Sequence, residues 1–148
     1  MTVSRKRDPV LQFSVFAPNK VGQLNELVQH LAKEDLHIMA MCMLDTTECT
    51  IMRLILDYPD QARSAFERAD YAYAVSEVIA VEVPTEAQVK YITTALVEAE
   101  INIHYIYPFV ARPEGRSALA LHLEDNELAA TVLGRRGLRV LGQSDIAR

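Results

Sequence analysis

Tryptophan is absent from this sequence of 148 residues, and cysteine is nearly so. The two thiols, Cys42 and Cys49, are too few for the disulfide framework that staples small secreted domains. No apolar run approaches the roughly 18–20 residues that a membrane-spanning helix needs. The basic residues near the N-terminus are not followed by an uninterrupted apolar segment, so the pattern of a secretory leader is missing, and a cytoplasmic location is expected. Positive charge is in deficit, with 15 Lys and Arg against 20 Asp and Glu and a net charge of -5. That balance gives no general pull toward nucleic acid or anionic lipid, and neither partner is expected. The basic run Ser4-Arg5-Lys6-Arg7 is local and reads as part of a solvated tail over residues 1–9.

Chemical constellations are also lacking. The five glycines form no phosphate-cradling loop, and neither a nucleophile elbow nor a paired His-Glu zinc motif occurs. Asp57, Asp60 and Glu124 fall at helix starts, where capping and the helix dipole explain them. Cys42, Cys49 and His37 match no common zinc spacing, and the cysteines read as buried thiols in a reduced compartment. His104 and His122 are isolated in strand-like segments, and Tyr105 and Tyr107 alternate as core or interface residues do. No catalytic residue, metal or cofactor is expected, and the chain reads as a protein that is not an enzyme.

What is present is a folded composition, half hydrophobic and about a quarter charged, arranged as a faint internal repeat. Leu11-Gln12-Phe13-Ser14-Val15 and Ile79-Ala80-Val81-Glu82-Val83 both alternate apolar and polar and both run on to a proline, Pro18 or Pro84. Helical spacing follows at Leu24, Leu27, Val28 and Leu31, and again at Val89, Ile92, Leu96 and Val97. A second strand is expected over Ile38–Leu44 and Ile103–Val110, and a third over Thr50–Leu56 and Ala118–Leu123. Short helices follow, with faces Ala62, Ala65, Phe66 and Ala69, then Leu128, Ala129, Val132 and Leu133. A last strand closes each half near Tyr73–Val75 and Leu138–Leu141, with Gly137 placed to end the preceding helix.

The order β-α-β-β-α-β, twice, is that of the ferredoxin-like split arrangement: an α+β fold of two repeats, over residues 10–76 and 77–148, each an antiparallel sheet with helices on one face. Neither half holds a large core, so each must lean on the other or on another chain. The second strand supports this, being apolar on both sides: Ile38, Ala40, Cys42 and Leu44 on one, Met39, Met41 and Met43 on the other. Its open side must be covered by another sheet, within the chain or across a homodimer, and a homodimer is expected.

The most informative loop is Ala17-Pro18-Asn19-Lys20-Val21-Gly22-Gln23-Leu24, which leads into the first helix. Free amides and the positive dipole end at a helix start suit a carboxylate. Gly22 permits close approach to the backbone, and Asn19 is placed to cap the helix or to bind a ligand. An ordinary capped helix start would look the same. The second loop, Thr85-Glu86-Ala87-Gln88-Val89, is one residue shorter, has Ala87 for the glycine, and pairs Thr85 with Gln88 at capping-box spacing. It reads as self-capped and closed to an anion.

This element order, the Asn19-Lys20-Val21-Gly22-Gln23-Leu24 loop and the Leu36-His37-Ile38 strand start resemble the ACT domain, an amino-acid-sensing module. Glu77–Pro84 and Glu100–Tyr107 resemble it as well, so the likeness covers nearly all of the chain and is to proteins made of two ACT repeats. The resemblance implies a regulatory protein that binds an amino acid or related metabolite at an interface between domains. It implies a site built from the Asn19, Lys20, Val21, Gly22, Gln23 and Leu24 loop with the strand starts His37-Ile38 and Asn102-Ile103 of a partner domain. Val21 stands where the family usually has proline. Two other roles remain open: a regulatory subunit of a biosynthetic enzyme such as acetohydroxyacid synthase, and a dimerisation module without ligand.

Overall fold

A computed structural model describes residues 8–147, so the Ser4–Arg7 run and most of the expected tail lie outside the described residues. The elements are β1 (Val10–Ala17), α1 (Gln23–Lys33), β2 (Ile38–Asp45), β3 (Thr50–Leu56), α2 (Pro59–Arg68), β4 (Ala72–Glu82), α3 (Val89–Glu98), β5 (Ile103–Pro108), β6 (Ala118–Leu123), α4 (Asn126–Arg135), β7 (Val140–Leu141) and α5 (Gln143–Ile146). This is the expected double βαββαβ order in an antiparallel sheet, with α5 added at the end.

The halves share a strand. Two separate strands were expected over Tyr73–Val75 and Ile79–Val83, but β4 runs unbroken through both, and the expected boundary between residues 76 and 77 falls inside it. No glycine or proline interrupts residues 72–83, so nothing stops the extended chain. Its first part, Ala72–Val78, pairs with β1, and its second, Ile79–Glu82, pairs with β6. One sheet results, in the order β2-β3-β1-β4-β6-β5, with β7 also on β4.

That sheet curls until its edges meet. Ala40 on β2 bridges Phe109 just past β5, and the amides of Val110 and Ala111 donate to the Met39 carbonyl at 2.8 and 3.1 Å. The helices pack outside the curl over two cores. Phe13, Leu27, Leu31, Leu54 and Phe66 centre the first, and Val81, Ile92, Leu96, Leu121 and Leu133 the second. Inside, Val10, Met39, Ala40, Ile55, Val78, Ala80, Tyr107, Phe109, Ala120 and Leu141 form a third core shared by both halves. The open side of β2 is therefore covered, over its first part, by the second repeat of the same chain. Gln143 adds a polar tie, accepting from the Leu11 amide at 3.1 Å and donating to the Leu56 carbonyl at 3.0 Å.

Several local expectations need correction. A bulge between Ile38 and Ala40 breaks the strict alternation of β2. Ile38 and Met41 consequently share the helix side, while Met39, Ala40 and Cys42 face inward. Val97 and Leu128 have helical spacing yet are 73% and 42% exposed, because Ala95 and Leu133 fill the buried positions beside them. Ala69 is likewise exposed, since α2 ends at Arg68. The last strand is only Val140–Leu141, and β5 stops at Pro108, where the chain turns its amides toward Met39.

All four long helices end alike. Asp35, Asp70, Glu100 and Gly137 take positive φ, and the next residue donates back to the last turn: Leu36 to Leu31, Tyr71 to Phe66, Ile101 to Leu96 and Leu138 to Leu133. This is the Schellman cap, and only the fourth helix has the expected glycine in it.

Candidate functional site

The start of α1 is open. Gly22, at φ +90°, is its N-cap, so Asn19 does not cap the helix and makes no hydrogen bond to any described residue. The Gln23 amide reaches Lys20 O at 3.4 Å and that of Glu26 reaches Gly22 O at 2.9 Å. Between them, the amides of Leu24 and Asn25 have no acceptor among the described residues. Val21 projects with its whole side chain in solvent, 107% exposed, which is unusual for a valine. Gln23 and Leu24 are half-buried where the helix meets the sheet, and Lys20 is exposed. A cleft of about 540 Å³ lies alongside, lined in part by Pro18, Gln23, Glu26, Lys33 and Tyr71. Burial, and then the nearby Glu26 charge, raise the Tyr71 hydroxyl above its ordinary range, so it stays protonated.

The second loop has the opposite character. A 3₁₀ turn over Glu86–Gln88 winds the chain tightly into α3. The Gln88 side chain folds back to accept the Thr85 amide at 3.0 Å, while the Gln88 amide donates to Thr85 O at 3.1 Å. Glu86 and Ala87 are exposed at its tip.

The strand starts do not sit beside their own loops. Ile38 pairs with Leu56, whereas Ala17, next to the loop, pairs with Thr50 at the other end of β3. A site combining a loop with a strand start must therefore draw them from different repeats or chains. His37 is held in place: its amide donates to Asp57 Oδ1 at 2.9 Å and its Nδ1 lies 2.7 Å from Oδ2 of the same fully buried carboxylate. Asn102 is exposed, its carbonyl accepting from the Glu124 amide at 3.1 Å. Ile38 and Ile103 pack against the helix-side cores. Cys49 lies in the β2–β3 turn, bonded to Thr46, far along the sheet from His37. No group of three His, Cys, Asp or Glu side chains gathers among the described residues.

One cluster was not assembled from sequence. Gln12 is fully buried on the inner face of β1. Its Nε2 donates to Tyr105 Oη at 2.6 Å and to Ser14 Oγ at 3.3 Å, and its Oε1 accepts from Tyr107 Oη at 2.6 Å. The Arg53 guanidinium lies 4.0 Å over the Tyr105 ring, which stacks on His122 with centroids 4.7 Å apart. His104 is near as well, 5.3 Å from His122, so these histidines are not isolated. Burial, then the charges of His104 and Arg53, lower the His122 pKa and keep the ring neutral. Arg53 Nε and His122 Nδ1 are buried with no partner among the described residues. Their strands were legible, but nothing in the sequence signals that β1, β3, β5 and β6 meet here.

Comparison with known proteins follows this geometry. The family model for the ACT domain pair matches residues 9–148. A protein of Bacteroides thetaiotaomicron has a similar solved structure, with TM-score 0.84 and 24% identity over 95% of this chain and 96% of that one. The ligand-free regulatory subunit of aspartate kinase from Thermus thermophilus aligns with TM-score 0.59 and 17% identity, covering 87% of this chain and 93% of that one. The corresponding subunit from Thermus flavus gives TM-score 0.56 and 14% identity, with the same coverage of 87% and 93%. These likenesses concern the fold. No curated protein matches the sequence.

Proposed function

The chain belongs to the ACT domain pair family, and on that premise we propose that it is a non-enzymatic regulatory protein that binds an amino acid or related metabolite at the start of α1. The observation that carries this reading is the contrast between the two loops. At α1 the amides of Leu24 and Asn25 face no acceptor among the described residues and Gly22 leaves the backbone accessible. At α3 a 3₁₀ turn leads into the helix, the Gln88 side chain takes the Thr85 amide, and Glu86 sets a negative charge in the first turn. Glu26 and Lys33 in the adjoining cleft supply charges of both signs, which suits a zwitterion. Because each strand start is remote from its own loop, the proposal places a loop against His37-Ile38 or Asn102-Ile103 of another repeat or of a homodimer partner. Aspartate kinase regulatory subunits share the fold, so a metabolic enzyme is the partner class to which such a sensor would report.

The test is a thermal-shift screen against the twenty amino acids and pathway end products, followed by calorimetry. A ligand of the folded state at a hundredfold excess over Kd adds about 2.7 kcal/mol of apparent stability. Val21→Glu, at a fully exposed position, sets a carboxylate before the free amides and should weaken binding about tenfold or more without changing the melting temperature. Ala87→Glu should change binding little. A larger effect of Ala87→Glu would move the site to the second repeat. No stabilisation by any compound, with stable capture of a biosynthetic enzyme, would favour the regulatory-subunit role. Neither result would leave the dimerisation role.

A further inference from the structure

Arg53 is a cation without an acid: no carboxylate pairs with it among the described residues, and its Nε is buried without an acceptor. The groups around it are also donors in excess. Gln12 spends its amide hydrogens on Tyr105 and Ser14 and its oxygen on Tyr107, so the Tyr105 and Ser14 hydroxyls already accept and have protons left to give. Arg53 and the two hydroxyls thus lie around Gln12 and the Tyr105 ring with no acceptor among the described residues.

Register locates that place. Arg53 stands opposite Ser14 on β1 and Cys42 on β2. Two residues farther along, Ile51 stands opposite Phe16 and Leu44, on the same inward face of the sheet. The second repeat does not cover this outer row: Phe16 is 39% and Leu44 46% exposed. A polar row holding a cation with no carboxylate partner among the described residues therefore borders an apolar row that the second repeat leaves exposed.

We propose that this exposed part of the inner face is a second ligand site, which takes a small monocarboxylate bearing an apolar group. The carboxylate meets Arg53 with the Ser14 and Tyr105 hydroxyls, and the apolar group lies across Leu44, Ile51 and Phe16. A guanidinium whose face is stacked on a ring presents its edge to an anion, and carboxylate geometry fits that edge. A dianion such as phosphate is disfavoured, since Arg53 is the one fixed charge there among the described residues and His122 is held neutral. Phe16 also borders the cleft beside α1, but Arg53, Ser14, Tyr105, Leu44 and Ile51 do not, and neither proposal depends on the other.

The probe is 4-methylpentanoate, which has no amino group and so does not test amino-acid recognition. It is titrated into ¹⁵N-labelled full-length protein while the arginine Nε–H signals are followed, Arg53 being assigned by its loss in Arg53→Lys. The expected result is a saturable shift of the Arg53 signal in the millimolar range, with acetate about tenfold or more weaker for want of the apolar group. In Arg53→Met the backbone amide signals of Ser14, Ile51 and Tyr105, which move together with the Arg53 signal in the parent, should no longer respond. Leu44→Glu, at an exposed position that folding tolerates, should weaken the response about tenfold, and Val21→Glu should leave it unchanged. The proposal is overturned if the shift does not saturate, if acetate matches the probe, if the Leu44→Glu protein responds like the parent, or if those amide signals still move in Arg53→Met. It is equally overturned if dilution, followed by light scattering, shows that a second copy of the chain covers the row and excludes the probe.

Discussion

The Val110 amide donates to the Met39 carbonyl at 2.8 Å, joining the two outermost strands of the sheet across 71 residues of chain. Beside that bond Phe109 lies buried in the core that both repeats share. The repeats should therefore unfold together. Phe109→Ala is expected to cost about 3–5 kcal/mol, and the unfolding of the parent should be a single transition by both circular dichroism and tyrosine fluorescence. Two resolved transitions in urea would show that the inner core does not couple the halves.

Tyr107 and Gln12 make a closed pair in that interior. Tyr107→Phe strips the only donor among the described residues from a fully buried amide oxygen and should destabilise by about 1–3 kcal/mol. Tyr105 is half-buried, and Tyr105→Phe should cost less because solvent can reach its place. Equal losses from the two substitutions, measured by chemical denaturation, would contradict this accounting.

Glu100 takes φ +57° at the end of α3, a conformation that L side chains resist by roughly 1–2 kcal/mol. Its amide and that of Ile101 both serve the Schellman cap, which glycine would keep. Glu100→Gly should therefore raise stability by about 0.5–1 kcal/mol, glycine's greater freedom in the unfolded chain offsetting part of the relief. Gly137→Ala, at φ +78°, is the mirror experiment and should lower it by about 1 kcal/mol. A melting temperature that falls for Glu100→Gly would refute the assignment of strain.

His122 carries a pKa lowered by burial and by its cationic neighbours, so the folded state binds its proton more weakly than the unfolded chain does. Stability from this group is complete above the unfolded value of about 6.5 and is lost as pH falls through the lower folded value. His122→Gln should flatten the acid side of the stability profile below about pH 6.5 while leaving its neutral side parallel to that of the parent. An unchanged slope, measured by urea denaturation across that range, would exclude His122 as its source.

The order of elements was legible from sequence because period-two and period-3.6 patterns are local, and β3 and β6 coincide with the expected Thr50–Leu56 and Ala118–Leu123. The contrast between the loops was also legible, since Gly22 and the Thr85–Gln88 pair act within a few residues of themselves. Even there the cap fell on Gly22 rather than Asn19, a choice the positive φ makes and no spacing rule shows. Tertiary structure decided the rest. The merging of two expected strands into β4 depends on β1 and β6 lying end to end along it. The bulge at Ile38–Ala40 turns Met39 and Ala40 inward together, where they meet the second repeat. Tyr105 and His122 read singly as ordinary surface or core residues and Arg53 gave no signal; β5–β6 pairing sets the two rings side by side, and curling brings Arg53 of β3 over Tyr105. Local periodicity records which face of an element is apolar; it carries no information about what covers that face, because the covering residues lie tens of positions away and are chosen by how the sheet closes.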